Sequence, residues 1–493
     1  MTRSHGDSDE HETEWEGVWW LPGSSNDRAP GTLIDTGAGI ELVLHGADLE
    51  PPVMGGPNSR PIRVKEPRWE VTPIVHGRLR DRRSVTLLNA SGTHIRSLFV
   101  ESETMVYRIE LALLGGHVAQ DEFAEMRVEF DWLDAWLDPD PIQDPTRLRD
   151  ASLIRERTTE ISRFAVNATQ VVFKTGVVGT SSEASIHLDR WSAMAVELDE
   201  PQDWKHLVQM WVRPIQDLLA VSLGRSVQIT WLHFRPPGGT EYDQALEARF
   251  HIVQPGTPRR DRRLSKNQAI LHNYAEPTLT TGRDPELSLE DLVVGWLLHW
   301  PSYRPLIASL VGHLYAPFMY STQKYGAIFQ TLEGISSRKF PGSDKTKIEH
   351  QQRVKDIVDA ATVAGVHEEV VSWARRVLGT RNDKTLAAKI DEVLMLTGSL
   401  GQAILDTDPA FGNNAAGFRL SVAHPRQRKE IDYVRQHWYG EIMSWVARCV
   451  LLQEAGLESA AERALKKSSF QYALREISED RKDASEAKPK GQL

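Results

Sequence analysis

One cysteine, Cys449, stands in 493 residues. The chain can therefore form no disulfide within itself and no Cys-based zinc site, which fits a reducing, cytoplasmic compartment. Long apolar runs are missing as well. The most apolar stretch, Leu292 to Leu298, is too short to span a bilayer and is soon followed by Pro301 and Pro305, so no membrane segment is expected. Met1 to Glu14 is acidic and polar without an apolar core, unlike a secretory signal. The familiar nucleotide and metal motifs are lacking too: no phosphate-loop lysine, no Gly-rich strand-to-helix fingerprint, no His-Glu-x-x-His and no Gly-x-Ser-x-Gly elbow. Gly55-Gly56-Pro57-Asn58 reads as a turn. No cofactor and no metal are expected. The net charge of −10 argues against a surface wrapped in nucleic acid, though not against a local basic site.

What is present changes character along the chain. Residues 1–14 read as a disordered tail. From Trp15 to about residue 255 short strands alternate with turns, as in Thr32-Leu33-Ile34, Ile40 to Leu44, Val85 to Leu88, Ile95 to Val100 and Met105 to Leu111. A second strand-rich stretch covers Glu160 to Val166, Gln170 to Phe173, Ser185 to Leu188, Met194 to Leu198 and Val227 to Phe234. Two helices interrupt these strands. One is Trp132 to Leu137, reached through a short strand that starts at Phe123. The other, Trp204 to Leu223, has Pro214 as its expected kink. This spacing predicts sandwich-like sheets with inserted helices, in one domain or two lobes. Trp15, Trp19 and Trp20 read as packing. So do Asp131 and Asp134 beside Trp132 and Trp136, in preference to a sugar site. Residues 256–287, rich in Pro and Gly with basic residues from Arg259 to Lys266, read as a linker.

From Ser288 the hydrophobic period becomes helical. Ser288 caps a helix expected over Leu289 to Trp300. Stripes follow at Val354, Ile357, Val358 and Ala361, at Ile390 to Ile404, and at Ile431 to Cys449. They predict a helix bundle over 288–475, then a disordered tail over 476–493. The fold class is thus α+β.

Inside the helical half, Phe418-Arg419-Leu420-Ser421-Val422-Ala423-His424-Pro425 brings a guanidinium and an imidazole together. Arginine is a permanently charged fork that fits phosphate oxygens, and histidine exchanges a proton near neutral pH. Of the 17 histidines, only His424 has an arginine five, six or seven residues before it. Pro425 biases His424 away from helical angles, so the helix carrying Arg419 should end there. Five helical residues separate the pair by about 7 Å, the scale of a phosphate with its ribose. Arg426, Arg428, Lys429 and Arg435 add a local basic surplus. The alternative is that Arg419 and His424 merely cap helix carbonyls.

This arrangement resembles HEPN domains, helical bundles marked by Arg, four to six residues, then His, before a long final helix. Here that helix is expected from about Lys429 to Glu454. Residues 15–255 are similar to the N-terminal region of ApeA-type anti-phage proteins. The pieces that carry this likeness are Gly17-Val-Trp-Trp-Leu-Pro22, Gly31-Thr-Leu33, Glu41-Leu-Val-Leu-His-Gly46, Phe130 to Leu137 and Trp204 to Leu223. The resemblance implies a metal-independent endoribonuclease of abortive phage defence, with tRNA among its candidate substrates. It implies a homodimer whose two motifs meet across one groove. Arg419 and His424 would be catalytic. Ser421, Arg426 and Arg428 would contact RNA. The N-terminal region would sense a phage-derived trigger that the residues do not identify. One departure is Leu420, where the family often has a polar residue. It favours a rival, a non-catalytic RNA- or nucleotide-binding HEPN protein. The tryptophan content favours another, a β-domain ligand binder with a helical dimerisation module.

Overall fold

Alternation of apolar and polar residues builds the N-terminal half. Ile40, Leu42 and Leu44 are buried while Glu41 and Val43 between them are partly open, and this strand pairs on both sides. The computed structural model describes residues 13–36, 39–45, 49, 71–96, 103–137, 157–182, 185–238, 246–250, 278–316, 318–380, 382–423 and 432–486. The expected turn at Gly55–Asn58 and the basic stretch Arg259–Lys266 lie outside them.

Thirteen strands form one antiparallel sheet. β1 (Thr13–Trp20), β2 (Ala29–Asp35), β3 (Ile40–His45), β4 (Val71–Leu79), β5 (Ser84–Arg96) and β6 (Glu103–Ile109) run in the order β4-β1-β2-β3-β6-β5. Pairing of β4 with β5 closes these six into a barrel. Its interior is filled by Trp19, Leu33, Leu42, Val75, Leu87 and Tyr107 among others. Trp19 is fully buried because glycines make room for it: a Cβ on Gly77 would lie 2.2 Å from its ring. Tryptophan here is packing, as expected.

The remaining strands form an open extension. These are β7 (Leu111–Leu114), β8 (Glu122–Phe130), β9 (Arg157–Val166), β10 (Thr169–Ser182), β11 (Ser185–Asp203), β12 (Ile229–Arg235) and β13 (Leu246–Phe250). Their order is β7-β13-β12-β8-β11-β10-β9. β5 carries β4 on one side and β7 then β6 on the other, so it belongs to barrel and extension alike. Instead of sandwiched sheets, a single sheet is rolled up over part of its width. β11 joins the two strands expected at Ser185 and Met194 into one.

Helices α1 (Leu133–Leu137), α2 (Trp204–Leu207) and α3 (Arg213–Leu223) belong to this region. Between α2 and α3 the chain makes a π-helical turn, Val208–Val212. It directly precedes Pro214, which lacks the N–H a regular helix would use, so the expected kink takes the form of a widened turn.

The C-terminal half is helical, as the periodicity required. It holds α4 (Leu289–Tyr315), α5 (Ser321–Lys339), α6 (Lys347–Val363), α7 (Glu368–Thr380), α8 (Leu386–Leu396) and α9 (Ser399–Thr407). It continues with α10 (Phe411–Ala423), α11 (Tyr433–Glu454), α12 (Ala460–Leu465) and α13 (Ser468–Glu486). Ser288 caps α4 by accepting from Asp291 N at 3.0 Å. Three expectations are corrected. α4 does not stop at Trp300 but runs through Pro301 and Pro305, because Tyr303, Ile307, Leu310 and Val311 continue its buried face. The segment from Ile477 is not a loose tail up to Glu486: α13 includes it, and Ile477 is buried in the core. The end of the expected linker is packed: Leu279 N donates to Ser222 O at 2.9 Å, and Gly282 N to Trp136 O at 2.8 Å.

α11 is the axis of the bundle, touching α5, α13, α12, α4 and α3. Its contact with α3 joins the two halves. Arg448, 6% exposed, donates from Nε to Val221 O at 2.7 Å and from Nη2 to Ser222 O at 3.0 Å. Burial pushes its pKa down to about 10, and it remains a cation. Trp296 Nε1 donates to Pro214 O at 2.7 Å, and Trp300 Nε1 to Asp217 Oδ2 at 2.8 Å. Arg463 pairs with Asp284, with Nη2 2.7 Å from Oδ1.

Gly224 ends α3 in the left-handed region, at φ 66°, and a Cβ there would lie 2.6 Å from Arg448 Nη1. Gly224→Ala therefore combines backbone strain with a clash and should cost about 2–4 kcal/mol. Gly238→Ala, at φ 76° with nothing within 4 Å, should cost about 1 kcal/mol. Thermal melting of the two variants checks this; equal shifts would refute the role of the seam.

Candidate functional site

The helix that carries Arg419 is positioned by Asp408. This buried carboxylate accepts from Ala410 N at 3.1 Å and from Asn414 Nδ2 at 2.8 Å, and closely from the Tyr439 hydroxyl. Asn414 Nδ2 also lies 3.2 Å from Tyr439 Oη. α10 is thus locked to α11 just before the motif begins. Burial, and then the bond to Asp408, push the Tyr439 phenol up to about 12. It stays a neutral donor at any physiological pH.

Aromatic rings complete the support. Phe411 stacks on Tyr439 with centroids 4.7 Å apart. Phe418 meets Tyr439 edge-on at 5.3 Å and Tyr325 at 6.2 Å. Tyr325 of α5 donates to Ala415 O at 2.7 Å. Burial raises its phenol well above the ordinary value, Tyr439 adds to this, and the charge of Arg419 opposes it. Arg419 therefore lies close to this cluster.

Arg419 itself is half-buried, and no hydrogen bond or ion pair joins it to another of the described residues. That removes the described half of the capping alternative. α10 is described as far as Ala423. Ser421 is half-buried, and its hydroxyl donates back to Gly417 O at 3.0 Å, within its own helix. Leu420 is 48% exposed. His424, Arg426 and Arg428 lie outside the described residues.

The final helix begins at Tyr433 rather than near Lys429 among the described residues, with Asp432 as its cap, accepting from Arg435 N at 2.9 Å. Asp432 thus serves the helix end instead of simply offsetting the basic surplus. Arg435 is drawn into the same framework. Its Nη2 lies 3.4 Å from Tyr439 Oη, and its guanidinium is 5.6 Å from the Tyr439 ring. Arg419 and Arg435 therefore flank one aromatic cluster, on the helices to either side of residues 424–431 in the chain. Sequence reading counted Arg435 only as local charge. The signal that could have singled it out is its i, i+4 relation to Tyr439.

Among the described residues, no group of three or more His, Cys, Asp or Glu is arranged to hold a metal ion, and no helix is long and apolar enough to cross a membrane. Cys449 is buried, which pushes its thiol up to about 12.

Two family models match the chain. One, described as ApeA N-terminal domain 1, covers residues 14–274. The other, described as Apea-like HEPN, covers residues 327–461. No curated protein matches.

Asp408→Ala would leave the Tyr439 hydroxyl and the Asn414 amide without their shared acceptor. We expect a loss of about 2–4 kcal/mol, read as a fall in melting temperature. Unchanged melting would show that the lock does not hold α10 in place.

Proposed function

From a chain that belongs to the ApeA family, matched over more than half its length by the N-terminal model and again across its HEPN domain, we propose a metal-independent endoribonuclease of anti-phage defence. An HEPN domain of ApeA type points to defence as the setting. The observation that carries the nuclease reading is Arg419. It is a cation with no hydrogen bond or ion pair to another described residue, on the helix that precedes His424-Pro425 in the chain.

The chemistry uses the substrate's own nucleophile. The ribose 2′-oxygen attacks the adjacent phosphorus as its proton leaves, and the 5′-oxygen of the next nucleotide departs and takes up a proton. The products are a 2′,3′-cyclic phosphate and a free 5′-hydroxyl. His424 acts as the base at the 2′-hydroxyl or as the acid at the leaving oxygen. Arg419 holds the non-bridging oxygens and offsets the charge that builds on them. Arg426 and Arg428 add affinity for flanking phosphates, and the Ser421 hydroxyl is a further contact once it leaves Gly417 O. Two copies of the chain related by a two-fold axis would bring two such pairs to one groove. In that arrangement one imidazole serves as base and the other as acid. tRNA is one candidate substrate.

The N-terminal region acts as sensor and restraint for a phage-derived trigger. What supports this is the seam: α11, which follows the motif in the chain, is bonded through Arg448 to the end of α3. A second reading is a non-catalytic RNA-binding protein. Leu420, exposed where the family often carries a polar residue, favours it.

Digestion of RNA by the purified chain decides between them. His424→Ala should lower cleavage by roughly 10²–10⁴ while leaving the melting temperature unchanged. Arg419→Lys should be severely impaired, since lysine keeps the charge and loses the two-pronged fit. EDTA should leave cleavage intact. Full cleavage by His424→Ala would move the site elsewhere. RNA binding without cleavage by the parent would favour the second reading. Light scattering at micromolar concentration should give a dimer; an active monomer would exclude a composite site.

A further inference from the structure

A cavity of about 1090 Å³ lies where the two halves of the chain meet. Val221 and Gly224, at the end of α3, form one wall, and α4, α5, α11 and α13 supply the rest. Small-ligand sites favour such junctions and run to about 1000 Å³. The cavity is distinct from the Arg419 site. Its lining on α11 is His437, Trp438, Glu441, Ser444, Trp445 and Arg448. At about 100° per residue these fall on one face of the helix, opposite Arg435 and Tyr439, which meet the α10 framework.

The lining has a definite chemistry. It holds three cations, Lys324, Arg448 and Arg475, against one carboxylate, Glu441. That is a positive surplus in a chain of net charge −10. Arg448 is already satisfied by carbonyls and contributes its field. Lys324 Nζ lies 2.5 Å from Glu441 Oε1, and Arg475 Nε is a loose 3.9 Å from Glu479 Oε1. His437 Nδ1 is 3.9 Å from the same Glu441 oxygen, so Glu441 has a second partner if Lys324 turns to an anion. Ser468 and Ser469 bring the first turn of α13, with its backbone N–H groups, to the same wall. Beside these donors is a ring surface. Trp438 and Tyr472 meet edge-on at 5.2 Å, and the Arg475 guanidinium sits 4.9 Å from the Tyr472 centroid. Tyr472 is 43% exposed, open to a further partner.

Anion donors next to a partly open aromatic surface suit a molecule that joins a phosphate to a flat ring. We propose that this cavity binds a mononucleotide. Its base lies against Trp438 and Tyr472, and its phosphates lie among Lys324, Arg475 and the first turn of α13. A ligand so placed bridges α5, α11 and α13, in the cavity whose wall includes the end of α3 and Arg448, beside the contact that joins the two halves.

The full chain is titrated with ATP and with GTP, and separately with inorganic triphosphate and a short oligoribonucleotide. Tryptophan emission and melting temperature are followed. At least one nucleotide should change the emission and raise the melting temperature. Tyr472→Ala and Arg475→Glu, both surface changes, should each weaken it about tenfold or more. Arg419→Ala should bind as the parent does. This binding readout is independent of cleavage, so its failure is separable from failure of the nuclease reading. No response to either nucleotide at millimolar concentration overturns the proposal. So does triphosphate binding as tightly as the nucleotides, which would dispense with the ring. Equal loss in Arg419→Ala would mean the nucleotide sits at the nuclease site, and tighter, competing binding by the oligoribonucleotide would assign the cavity to RNA.

Discussion

Arg448 is a buried cation held by backbone carbonyls, and the way it is held constrains both halves of the molecule. The guanidinium is bonded to the last carbonyls of α3, where the helix dipole is negative. Displacing it would leave a charge in the core and take the guanidinium donor from the Val221 carbonyl, while Ser222 O would keep Leu279 N, a loss of several kcal/mol. α3 and α11 therefore hold one relative position, and Gly224, lacking a Cβ, leaves room for the head group. The other seam contacts are also polar and directional: indole to carbonyl at Pro214, indole to carboxylate at Asp217, and the Asp284–Arg463 pair. Hydrophobic burial alone would allow α11 to slide; these bonds select one register.

The sequence was informative where physical signals are local. The change of period near Ser288 separated strands from helices, and Ser288 itself announced the start of α4. It was silent where distant residues meet. Barrel closure depends on β4 meeting β5 and on Trp19 lying against Gly77, which no window of neighbouring residues reveals. Pro301 and Pro305 suggested an end to α4, yet the buried face continued past both, and packing outweighed two lost backbone bonds. The charged end of the chain resembled a tail because Ile477 is one apolar residue among many charges, although α13 buries it.

The candidate site divides in the same way. Arg419 stood out because its residue type and its spacing to His424 suit phosphate chemistry, and both are local signals. Asp408 did not, since Tyr439 lies 31 positions away and nothing in either residue names the other. Arg435 stood in plain view and was weighed only as charge. Its placement depends on a tyrosine whose own position depends on Asp408.

β5 is shared by the barrel and the open extension, pairing with β4 on one side and with β6 and β7 on the other. The two lobes therefore have no seam at which the chain could be divided. Cutting after the barrel would strip β5 of its partner β7 and leave a bare strand edge, a template for aggregation. In evolutionary terms the barrel cannot be traded between proteins as a cassette. It travels with the sheet that feeds into the helices, so any new binding surface on it must arise by altering loops and rims in place.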